Sequence, residues 1–82
     1  MELEELVRQR ITANAKDGVR HVTPEFEERF PDFSLITLDA LQLWWQEVKQ
    51  ECQEAESFSV RHLYLWSLES HLTSIITAAK LL

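Results

Sequence analysis

The stretch SLITLDALQLWWQEVKQECQE, Ser34 to Glu54, decides the fold. Leu38, Leu41, Trp45, Val48 and Cys52 recur at alternating spacings of three and four, the period of one helix face. Ile36, Leu43 and Trp44 flank that stripe. Glu47, Lys49, Gln50, Glu51, Gln53 and Glu54 occupy the remaining faces. The pattern predicts a long amphipathic helix from a Ser34 cap to about Glu54. Trp45 lies on its core stripe. Trp44, about 100° round the helix, lies at the edge.

Toward the C-terminus, Gln53–Ser57 reads as a short polar connection. Ser57 or Ser59 then caps a last helix, residues 58–81 at its widest. Its apolar residues, among them Val60, Leu63, Leu65, Trp66, Leu68, Leu72, Ile75 and Ile76, cover more than one face. In a chain this short such a helix is either central or packs on another molecule. Toward the N-terminus, Leu3, Leu6, Val7 and Ile11 mark a first helix from about Glu2 to Lys16. Acids in its first turn and Lys16 in its last suit the helix dipole. The only glycine, Gly18, sits where a left-handed residue ends a helix. Val19–Val22 reads as extended. Thr23 then caps a short helix, Pro24–Arg29, with Pro24 at its first position. Pro31 stops it by disfavouring helical geometry at Phe30.

Composition agrees with this all-α reading. The chain has 82 residues, 45% of them hydrophobic, with three Trp, four Phe and one Tyr, too many aromatics for a disordered chain. One Gly and two Pro cannot supply the turns of a β-sandwich or barrel. The expected fold is a small helical bundle of three longer helices plus one short helix, one domain spanning 1–82. The net charge of −6 belongs to residues 21–57, where nine acids face only Arg29 and Lys49. The first twenty residues balance, and the C-terminal third is nearly uncharged. The N-terminus is acidic and lacks an apolar run, so no secretory signal is read. No stretch is apolar enough for a membrane span. The expectation is a soluble, acidic, cytoplasmic protein.

Three kinds of chemistry would leave a mark on the residues: a nucleophile, a metal site and a phosphate-binding loop. Cys52 lies on the buried stripe with no histidine beside it in sequence, and is expected to be a small buried hydrophobe. His21, His62 and His71 include no pair at i, i+3 or i, i+4, so no metal site is read. With one glycine there is no nucleophile elbow and no phosphate-cradling loop. The expectation is a protein without enzymatic activity, cofactor or metal.

The layout of Thr23–Val48 resembles a helix-turn-helix or winged-helix DNA reader: a short helix, a Pro-containing turn and a longer second helix. The resemblance implies that Leu35, Ile36, Thr37, Asp39 and Gln42 would meet base edges. No base occurs there before Lys49, and the segment's negative charge repels a polyanion. Nucleic acid is therefore disfavoured as a partner. The expected function is a protein–protein interaction or regulatory module of adaptor or inhibitor type, with DNA binding as the alternative. Its surface would combine the acidic middle, Glu47 and Glu51, with an aromatic and apolar margin at Trp44, Tyr64 and Leu68. The partner is another protein or a second copy, giving a homodimer through the 58–81 helix.

Overall fold

Helices α3 and α4 begin at side-chain caps, α1 and α2 begin without one, and two of the four starts differ from the expected ones. The computed structural model describes residues 1–82. Helix α1 is Leu3–Lys16, α2 is Val22–Arg29, α3 is Leu38–Glu54 and α4 is Val60–Ala79, with a single 3₁₀ turn at Phe33–Leu35. The architecture is the all-α bundle that the sequence predicts, with α2 as the short member.

Helix α1 ends as expected. Gly18 has φ +93°, its N–H donates to Ala15 O, and the Val19 N–H donates to Asn14 O. These two bonds form a Schellman closure, which satisfies carbonyls that the helix leaves open.

Helix α2 starts earlier than the sequence suggests. Its first residue is Val22, preceded by His21, and Thr23 makes no cap. Val22 is fully buried, so packing pulls it into the helix rather than leaving it extended. Pro24 becomes the third helical residue. It loses nothing there, because the first four N–H groups have no partner within the helix. The other end is as expected: Phe30, at φ −128° and ψ 81°, leaves the helix before Pro31.

Helix α3 starts later. Thr37, not Ser34, is the cap, its Oγ1 accepting from the Ala40 N–H at 3.1 Å. Ser34 instead closes the 3₁₀ turn, its N–H and hydroxyl both donating to Asp32 Oδ1. Those two bonds hold the Asp32 carboxyl below the usual carboxylate range. Helix α4 takes the second of its two expected caps, Ser59, whose Oγ accepts from the His62 N–H.

Helices α3 and α4 form an antiparallel hairpin, and α1 packs on both α2 and α4. The 17 buried residues are all hydrophobic. At roughly 1.5–3 kcal/mol for each large side chain taken fully out of water, this core is the main force holding the helices together. Helix α4 supplies six of the buried residues, more than any other helix. No helix is long and apolar enough to cross a membrane.

Candidate functional site

The two adjacent tryptophans exchange their expected roles. Trp44 is 5% exposed, and Phe26 of α2 and Phe30 just after it meet it edge-on, with ring centroids 4.8 and 5.8 Å away. Trp45 is the half-buried one. Its indole N–H donates to Thr73 Oγ1 of α4 at 2.9 Å, and the Lys49 ammonium lies 5.0 Å above its ring. The physical reason is the position of α2. It lies against one flank of α3, which turns the Trp44 side inward and widens the buried stripe.

Leu68 also belongs to the core, at 2% exposure, and so offers nothing to a partner. Tyr64 is half-buried, and its hydroxyl donates to Glu25 of α2. Burial first, and then that bond to a carboxylate, push the phenol up to about 12. Glu47 and Glu51 are exposed, but each already has a cation: Arg29 at 2.6 Å from Glu47, and Arg61 at 3.5 Å from Glu51. The structure therefore does not gather the five expected residues into one surface. Trp44 and Leu68 lie inside, Tyr64 joins α4 to α2, and the two carboxylates neutralise neighbouring arginines.

Another surface takes their place. Leu63, Trp66, Ser70, Thr73, Ser74 and Thr77 are all exposed along the outer face of α4. None carries a charge. Trp66 is 59% exposed and Leu63 48%. Val60 and Phe58 lie open at the N-terminal end of the same helix, Phe58 with φ +64°, a left-handed conformation rare for an aromatic residue. Beside the C-terminal half of this face lies a groove of about 340 Å³ between α3 and α4, walled by Gln42, Trp45, Thr73, Ile76 and Thr77, with Lys80 as its one charged residue. A signal for this face was present in the sequence. Trp66, Ser70, Thr73 and Thr77 repeat at helical spacing, opposite Leu68, Leu72 and Ile75.

The fold also brings together polar groups that are far apart in sequence. His21 Nε2 lies 3.1 Å from Ser67 Oγ, and Asn14 Nδ2 lies 3.2 Å from His71 Nδ1. The two imidazoles meet edge-on, with centroids 6.2 Å apart. Burial, and then the neighbouring His21, lower the affinity of His71 for a proton. These pairs tie α1 and the start of α2 to α4.

Cys52 is buried as expected, but His62 reaches it across the α3–α4 turn. His62 Nδ1 lies 3.8 Å from the sulfur and 3.2 Å from the Cys52 carbonyl oxygen. The carbonyl can only accept, so that nitrogen carries the proton and does not act as a base toward the thiol. The bond instead satisfies a carbonyl in the last turn of α3. No three His, Cys, Asp or Glu side chains converge on a common point as a metal site would need. Comparison with models of known families, with curated proteins and with solved structures finds no match to this chain.

Proposed function

We propose that this chain is a non-enzymatic protein-interaction module, regulatory in the manner of an adaptor or inhibitor, that binds through the outer face of α4. One observation carries the reading: a 59% exposed Trp66 on a helix face without charged residues, in a chain of net charge −6. Tryptophan is a favoured anchor at interfaces because it offers a large rigid area at low entropic cost. The acidic segment 21–57 plays the complementary part. Its carboxylates discourage contacts elsewhere and leave the α4 face as the neutral landing area.

A protein partner is favoured over nucleic acid. The first turn of α3 carries Asp39 and no base, and the first base after it, Lys49, lies over the Trp45 ring. The test is a photo-crosslinking amino acid at Leu63, with a second placed at Glu27 as a control. The expected result is a covalent protein adduct from position 63 that disappears with Trp66→Ala and never forms from position 27. Equal labelling from both positions would remove the reading.

A further inference from the structure

We propose that the partner is a second copy of this chain, packed α4 against α4, antiparallel, about a two-fold axis between residues 70 and 71. Trp66 of each copy then enters the groove beside Trp45, Thr73 and Thr77 of the other. The inference rests on the α4 face being the interaction surface.

Three features of this face favour a second copy. The first is that the face carries both a projection and a recess. Thr73 and Thr77 follow Trp66 by seven and eleven residues, so the ring and the groove lie along one line of the helix. At 1.5 Å per residue, Trp66 stands about 13 Å from the middle of the groove. A two-fold axis midway along that distance puts residue 66 of one copy opposite residue 75 of the other, in the middle of the groove. An antiparallel two-fold also preserves the side of the helix. Trp66 shares its line of the helix with Thr73 and Thr77, which wall the groove, so the ring of one copy and the groove of the other lie on the same side. Both tryptophans are therefore seated at once, and the contact closes into a dimer rather than growing into a fibre.

The second feature is the remaining apolar surface. The same axis sets residue 60 opposite residue 81 and residue 63 opposite residue 78. Val60 and Leu81, both 86% exposed, thus cover one another at each end. One operation covers Val60, Leu63, Trp66 and Leu81, and leaves Phe58 and Leu82, at the two ends, outside the contact.

The third is charge. Helix α1 exposes Glu5, α2 exposes Glu27 and Glu28, and α3 exposes Asp39, Glu47, Glu51 and Glu54. Two copies meeting on α2 or on the outer face of α3 would bring carboxylates toward one another, whereas α1, with Arg8, Arg10 and Lys16 against Glu4 and Glu5, carries no acidic excess. The outer face of α4 brings none. Ser70, a residue small enough for close approach, lies beside the axis.

Sedimentation equilibrium should give a weight-average mass that rises with concentration from 9.7 kDa toward twice that value. Trp66→Ala should weaken the dimer at least tenfold, as expected of a central anchor. Thr77→Trp, which fills the groove from within its own chain, should do the same. Both changes are at exposed positions, and unchanged far-ultraviolet circular dichroism would establish that the variants fold. Ser70→Cys should form an intermolecular disulfide on oxidation. Helix axes 8–10 Å apart bring Cα atoms next to the axis into disulfide range, and the native Cys52 is buried. Thr77→Cys should not link to itself. A monomer at millimolar concentration overturns the proposal, as does a dimer that Ser70→Cys fails to link or Trp66→Ala leaves intact. A monomer whose position 63 still crosslinks to a different protein would overturn the second copy and leave the interaction surface standing. A monomer with no adduct would end both.

Discussion

Trp44→Ala opens a cavity beneath Phe26 and Phe30 and is expected to cost about 3–5 kcal/mol. Trp66→Ala should change monomer stability by no more than about 0.5 kcal/mol, since its ring is largely in water. Trp45→Phe should fall between them, at about 1 kcal/mol, for the lost hydrogen bond to Thr73. Urea denaturation of the three variants, at concentrations where the chain is monomeric, checks this order. Tyr64 gives a second prediction at the same scale. It is the only tyrosine, so phenolate absorbance reports on it alone. Its titration should centre near 12 rather than the ordinary 10. Glu25→Gln should bring it back toward 10, because the accepting carboxylate favours the protonated phenol.

Among the elements, the start of α3 separates a real cap from an apparent one. Thr37→Ala should cost about 1 kcal/mol, the usual loss when an N-cap side chain is removed. Ser34→Ala should cost less, because its bonds to Asp32 are exposed and local to the 3₁₀ turn. Thermal melts of the two variants test this. Ser34 and Thr37 are both chemically fit to cap, and sequence offers no rule for choosing. The choice falls to Phe33 and Ile36. Both are buried, and the chain must spend a 3₁₀ turn to place them before α3 can begin. Val22 is the same lesson at α2, where burial of one side chain moved a helix start past a good capping residue. By contrast, Gly18 and Pro31 act through their own backbone chemistry, and the structure keeps both boundaries where the sequence puts them.

Across the whole molecule, the links between α1, α2 and α4 make stability sensitive to acid. His71 binds a proton less readily in the fold than its ordinary value of 6.5, mainly through burial and then through His21. The unfolded chain therefore takes up the proton first. Its contribution to stability is complete above about 6.5 and is lost as pH falls through that value toward the lower native one. Tm should drop between pH 7.5 and pH 5. His71→Gln should flatten that part of the profile, and an unchanged slope would show that His71 is not its source.

The sequence by itself determined the four helices, their approximate lengths, the concentration of acid in residues 21–57 and the surplus of apolar surface on α4. Periodicity, glycine and proline punctuation and charge are properties of the chain over a turn or two, so they can be read without a fold. Only the tertiary structure decided which tryptophan is buried and that Leu68 faces inward. It alone brought His62 to Cys52 and set a groove beside the face that carries Trp66. These depend on the angles at which helices meet, and those angles are set by residues far apart in the chain, such as Phe26 and Phe30 against Trp44.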